Sequence, residues 1–227
     1  METLATKKVS IVLPFPVSTG FVKMEIQARI KQKADEMFRR YGIRSVTMDD
    51  IAAQLGMSKK TIYQYYADKD QLVDAVAVDE IQFSRESCLR DAAASANAIE
   101  EIFRVMEFVE VMFRNMNPSM LHDLEKYHPG GYKKFLEHKN TFLYEMIRRN
   151  LERGKKEELY RPEINVEIMA RFRLESMMLA FNPDLFPQSR FNLVVLQQEI
   201  VEHYLYGLAT LKGYKLILKY KQQRLNK

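Results

Sequence analysis

Between Thr47 and Asp68 the sequence starts helices three times, and this crowding restricts the fold more than any other feature of the chain. Thr47 with an acid three residues on, Asp50, forms a capping-box pattern. "MDDIAAQL" follows, with Ile51, Ala52 and Leu55 on one side, and Gly56 closes it. Ser58 caps "KKTIYQYY", and Asp68 with Gln71 caps the next helix. A short helix, the turn "GMS" and a second short helix make the helix-turn-helix pattern.

The rest of the chain is helical in period. Ile26, Ile30, Ala34, Met37, Phe38 and Tyr41 make one apolar stripe that ends at Gly42. A fourth helix is expected over 68–94. The segment 97–116 keeps its polar residues on a narrow strip and reads as a central, mostly buried helix. "HPGG" at 128–131 reads as a loop, and further helices are expected over 132–154, 166–182 and 191–213. No run alternates with period two. The expected fold is all-α, with about nine helices: a three-helix N-terminal helix-turn-helix domain over 24–70 and a larger helical domain over 71–212.

Residues 1–23 contain a short apolar run broken by two prolines, a poor secretory signal. They are expected to be a flexible arm, or a translation start placed ahead of Met24. Lys7, Lys8 and Lys23 leave open a minor-groove role. Residues 213–227 are expected to form a basic tail: a disordered end, a solvated helix extension or an extra nucleic-acid contact.

The formal net charge is +5, but six of the 35 basic residues lie from Lys212 onward; the other 29 face 30 acids. Global charge therefore says little about nucleic acid, and the local pattern must carry that argument. One cysteine, Cys88, excludes an intrachain disulfide and suits a reducing, cytoplasmic setting; in a helix without a neighbouring His it is expected to be inert. No run is long enough to span a membrane.

On a helical wheel, Ile62 and Tyr66 fall on one face of the third helix, while Lys60, Thr61 and Gln64 fall together on another. That face offers a cation, a hydroxyl and an amide, the group types that read base edges in a major groove. Tyr63 and Tyr65 flank it, suited to phosphates. Lysines at a helix start oppose the helix dipole, which a phosphate would relieve. Lys59, Ser58, Thr47 and Lys69 are the other expected phosphate contacts. Taken singly, such lysines are more often just solvated.

The stretch "TMDDIAAQLGMSKKTIYQYYADKDQLVDAV" resembles the TetR family of bacterial transcriptional regulators over about 50 residues. It has the threonine-capped second helix, the "IA..LG", the serine-started helix, the aromatic pair and the "K..L". Lys60 departs from the glycine common at its position, so no relative's operator can be carried over.

The resemblance implies a DNA-binding domain, base contacts from Lys60, Thr61 and Gln64, and phosphate contacts from Thr47, Ser58, Lys59, Tyr63, Tyr65 and Lys69. It also implies a homodimer through the last two long helices, and an effector pocket in the C-terminal domain. Ile168, Phe172, Leu193, Leu196, Ile200, Tyr204, Gly207, Leu208 and Leu211 are the expected interface. Phe103, Met106, Phe113, Met116, Tyr127, Phe142 and Met146 are the expected pocket lining, with His122, His128 or Glu110 as polar anchors. Such a Met-rich interior suits a largely apolar ligand, although each residue alone also fits ordinary core.

The expected function is a dimeric, sequence-specific repressor released from an inverted-repeat operator by an unidentified apolar small molecule. The alternative is a helix-turn-helix interaction protein controlled by a protein partner and lacking a small-molecule pocket. No metal-ligand spacing, phosphate loop or acid–base pair points to an enzyme, a metal or a cofactor.

Overall fold

A computed structural model describes residues 19–114, 116–187 and 189–225. The expected arm lies outside the described residues as far as residue 18. From Thr19 the chain is helical, so α1 (Thr19–Tyr41) starts ahead of Met24.

The N-terminal unit is α1, α2 (Met48–Leu55), α3 (Lys59–Tyr63) and the first turns of α4 (Lys69–Ala94). Ile30, Ala34 and Phe38 of α1 meet Ile51 and Ala52 of α2, Ile62 and Tyr66 around α3, and Leu72, Val73 and Val76 of α4 in one buried cluster. The expected boundary after residue 70 thus falls inside α4, which serves both units. Arg39 of α1 sits between Asp35, at 2.9 Å, and Glu80 of α4. Burial raises the pKa of both carboxyls, and the guanidinium opposes that rise.

The larger unit forms around α5 (Ala98–Phe113), which Asn97 caps through the N–H groups of Ile99 and Glu100. α8 (Tyr144–Lys156), α10 (Leu193–Leu208) and α11 (Leu211–Leu225) pack on it, with α9 (Val166–Leu179) against α8 and α10. Ile99, Leu151, Leu205, Leu208 and Ile217 are fully buried there. Below them, Asn150 donates to the Ala98 carbonyl at 2.9 Å, and the Tyr160 hydroxyl donates to Asn150 Oδ1 at 3.1 Å. Each polar group of this node has a partner, as burial requires.

Three expectations change here. "HPGG" is not a loop: α6 (Met120–Tyr127) ends at His128 and α7 (Pro129–His138) starts at once, with Pro129 at its first position. There the missing proline N–H costs no hydrogen bond. α7 runs into α8 through a π-helical turn, Lys139–Leu143. Gly154 does not end α8, which continues to Lys156; the Tyr160 ring lies against it instead.

The basic C-terminal segment is a packed helix rather than a loose tail. Ile217 is buried, the Tyr220 hydroxyl accepts from Asn97 at 2.9 Å, and Arg224 pairs with Glu110 at 2.5 Å. The single helix expected over 191–213 is two, broken at Ala209. Among the described residues the only β pairing is one isolated bridge, Tyr160 to Ala209.

The contact at Gly154 gives a direct test. A Cβ at Gly154 would lie 2.0 Å from Tyr160 Cδ2, whereas one at Gly130 would meet only the movable Asp74 carboxylate at 3.0 Å. Gly154→Ala should therefore lower stability by about 1–3 kcal/mol in urea unfolding. Gly130→Ala should cost much less.

Candidate nucleic-acid interface

The local sequence builds this surface from caps. The Thr47 hydroxyl accepts from the Asp50 N–H at 3.1 Å, and the Asp50 carboxylate accepts from the Thr47 N–H at 2.8 Å. Donation from Thr47, first by its hydroxyl and then by its backbone, holds the Asp50 carboxyl below the usual range. Gly56 turns the chain with φ +63°, a left-handed conformation that favours glycine. Ser58 then caps α3, accepting from the Thr61 N–H at 3.1 Å and sharing a 2.8 Å hydrogen bond with the Thr61 hydroxyl.

α3 ends at Tyr63, shorter than the expected span to residue 66, but Tyr65 and Tyr66 N–H groups still bond the Ile62 carbonyl at 3.0 and 3.1 Å. Ile62 and Tyr66 are buried in the N-terminal core. Lys60 and Gln64 are therefore turned outward and exposed, with Thr61 half-buried beside them. Tyr63 is exposed, and Tyr65 packs partly on the core.

The cations differ in availability. Lys60 makes no ion pair among the described residues. Lys59 reaches Asp49 of α2 at 2.5 Å, and that bond raises its pKa. Both partners are exposed, so the pair is weak and a phosphate can replace the carboxylate. Lys69 is tied down: it donates to the Ile43 carbonyl at 2.6 Å, and partial burial lowers its pKa. A helix as short as α3 carries little dipole, so phosphate attraction there rests on the lysines and Ser58.

Sequence reasoning missed the junction behind this surface. Asp123 of α6, buried, accepts from the Arg44 N–H at 3.0 Å. His128 Nδ1 lies 2.5 Å from Asp70 in the first turn of α4, and Lys134 of α7 pairs with Asp74 at 2.5 Å. Met120 and Leu124 of α6 pack on the N-terminal core. α6 and α7 thus grip the N-terminal end of α4 and the α1–α2 turn. Pro129 at a helix start is the one local signal that hinted at a helix there.

The expected interface residues divide. Ile168 and Phe172 of α9 are 62% and 50% exposed, Leu211 and Gly207 are exposed, and Leu196 and Ile200 are half-buried. Leu193, Tyr204 and Leu208 are instead buried inside the chain. The stripe also includes Leu179 and Val195, both exposed.

The expected pocket residues scatter. Phe103 and Met106 are core, and Phe113 meets Phe181 edge-on at 5.3 Å. Phe142 stacks on His138 at 5.3 Å, and Met116 and Met146 are half-buried. Tyr127 lies on the surface with the Arg44 guanidinium over its ring. Of the seven, Met106 lines a cavity of about 10 Å³, the size of one water, with residues of α5, α9 and α10. Among the expected anchors, His122 is exposed and His128 is engaged by Asp70. Glu110 borders the cavity but is held by Arg114 and Arg224, which lower its pKa. Burial pushes the Cys88 thiol up to about 11, which leaves it protonated and unreactive at neutral pH.

A helix-turn-helix of this geometry under an all-helical body defines a class of DNA-binding regulator folds. Residues 30–76 match the family of bacterial regulatory proteins called the tetR family. The likeness to that family lies in the N-terminal helix-turn-helix. The HTH-type transcriptional regulator YvaF of Bacillus subtilis is 35% identical over 102 residues, which are 44% of this chain and 53% of that protein. The chain therefore spans about half the length of this relative.

Two solved structures share the fold. A putative transcriptional regulator from Saccharomonospora viridis, in complex with choline, superposes with a TM-score of 0.66 at 16% identity, covering 82% of this chain and 99% of that one. FadR of Thermus thermophilus, a TetR-family repressor in complex with lauroyl-CoA, does so with a TM-score of 0.52 at 20% identity, covering 81% and 95%. The family and the named relatives are transcriptional regulators rather than enzymes. No helix among the described residues is long and apolar enough to cross a membrane.

The Ser58 cap supports both the turn and the face it presents. Ser58→Ala should lower stability by about 1 kcal/mol in thermal unfolding.

Proposed function

We propose that this chain is a dimeric, sequence-specific DNA-binding transcriptional regulator, acting as a repressor that a largely apolar small molecule releases from its operator. The observation that carries this reading is the division of α3: Ile62 and Tyr66 locked in the core, Lys60 and Gln64 presented to solvent. Lys60 matches guanine O6 and N7, and Gln64 matches adenine N6 and N7. Thr47, Ser58, Lys59 and Tyr63 surround them and are suited to the flanking phosphates; Tyr65 and Lys69 stand behind in supporting positions.

The apolar stripe on α9 and α10 supports dimerisation. Ile168, Phe172 and Leu179 recur on one face of α9, and Val195 is exposed on α10. Exposed large apolar residues grouped in this way, with Glu175 among them, mark an interaction surface. An isologous pair through it would set two copies of α3 on a two-fold axis, the arrangement that reads an inverted repeat. The choline and lauroyl-CoA complexes of the structural neighbours support an effector for this fold. An effector that favours one spacing of the two DNA-binding units shifts the dimer away from its operator. The α6–α7 grip on α4 suits that coupling.

The small volume of the cavity under α5 favours a second reading, in which a protein partner replaces the small molecule. A ligand screen followed by thermal unfolding separates the two.

Selection from fragmented genomic DNA at physiological salt tests the main reading. Sites sharing an inverted repeat are the expected result, and retention without a shared sequence would sink it. Lys60→Ala and Gln64→Ala should each lose about 1–3 kcal/mol of discrimination at one base position. Lys59→Ala should weaken all sequences and flatten the salt dependence. Phe172→Glu should shift sedimentation from dimer towards monomer; an unchanged dimer would place the interface elsewhere.

A further inference from the structure

Arg173 of α9 is 5% exposed, yet no carboxylate among the described residues pairs with it. Its Nη1 has no hydrogen-bond partner, and neither has the buried hydroxyl of Tyr204, whose ring lies 5.7 Å from the guanidinium carbon. Burial lowers the Arg173 pKa to about 10, so it remains a cation at neutral pH. A buried charge without a counter-charge is costly and is seldom retained unless something compensates it.

The position of the side chain says where that compensation comes from. α9 turns Ile168 and Phe172 outward, but Arg173 faces inward, into the cavity it lines with Val105 and Val109 of α5 and Val194 and Val201 of α10. It thus points away from the outer stripe on which a second protomer would dock. Glu110 also borders the cavity, but its carboxylate is taken by Arg114, Arg224 and Gln198. Gln197 is spent on the Met177 carbonyl. The cavity thus combines the orphan Arg173 with largely apolar walls, and the unpaired Tyr204 stands next to that arginine.

We propose that Arg173 anchors the carboxylate of an amphiphilic small molecule whose apolar chain fills the seam between α5 and α10. This deepens the effector reading given above and rests on it. The planar guanidinium matches a carboxylate in a two-pronged hydrogen bond, and Tyr204 adds a donor beside it. The seam has a way to open. Val105, Val109, Val194 and Gln198 are half-buried, and at this end of the seam a Gln198–Glu110 hydrogen bond of 3.3 Å links α10 to α5, while the buried packing of Val201 and Leu205 lies further along. A ligand that parts this bond enlarges a space that is now only about the size of one water.

The test uses the full chain, with hexanoate, dodecanoate and hexadecanoate against the matching alcohols, read by thermal unfolding and titration calorimetry without DNA. At least one carboxylate should raise the melting temperature of the wild type more than its alcohol does. Arg173→Met should melt at or above the unliganded wild type, because an unpaired buried charge has gone. It should bind that carboxylate about ten- to a hundredfold more weakly. Arg173→Lys, which keeps the charge but not the fork, should fall between.

Three outcomes would overturn the proposal. One is no response of the wild type to any of the carboxylates. Another is an equal response to acid and alcohol that survives Arg173→Met. The third is an Arg173→Met protein that melts well below the wild type, which would mark the arginine as structural. Operator retention is measured separately with the wild type. Carboxylate binding that depends on Arg173 but leaves DNA retention unchanged supports the site and removes the effector reading instead.

Discussion

The burial of Ile62 and Tyr66 is the constraint on which the rest of this structure depends. A helix of five residues has no stability of its own, because nucleation costs more than one turn returns. α3 exists because Ser58 starts it and because Ile62 within it and Tyr66 just beyond it are held in a core built by α1, α2 and α4. That anchoring fixes the rotation of the helix about its axis. Lys60 and Gln64 face outward as a consequence, and any loosening of the core would blur the surface they present.

α4 passes this rigidity on. Its first turns lie in the N-terminal core, and its remaining length packs on α5 and α7. The ties made by α6 and α7 to the α1–α2 turn and to Asp70 and Asp74 are polar and partly exposed. Such ties are weaker than the apolar cores on either side. Two stiff bodies that share α4 and are otherwise joined by these polar ties and by Met120 and Leu124 have the kind of junction that a switch between relative positions uses. The orphaned Arg173, on the far side of α5, places a second polar weakness inside the larger body.

Local signals were legible where their chemistry is local. The capping box at Thr47, the left-handed Gly56 and the caps at Ser58 and Asp68 appear where the sequence placed them, because each depends on neighbours within a few residues. Glycines and prolines in the larger unit were harder to read. Gly154 resembles a stop signal, but its lack of a side chain serves the Tyr160 ring. Pro129 resembles a break, but it starts α7. For Gly154 the deciding partner is a ring that the turn after α8 folds back onto it, a contact that helical periodicity does not encode.

The same distinction separates what each level determined. The sequence by itself determined an all-helical chain, the helix-turn-helix and the polar face of α3, since caps and apolar spacing act through one or two turns of backbone. Only the tertiary structure decided that Lys59 and Lys69 are already engaged, that the basic C-terminal segment packs on α5, and that Leu193, Tyr204 and Leu208 are core rather than surface. It alone shows that Arg173 is buried without a counter-charge. These facts depend on which distant side chains share a space, and no local propensity encodes that.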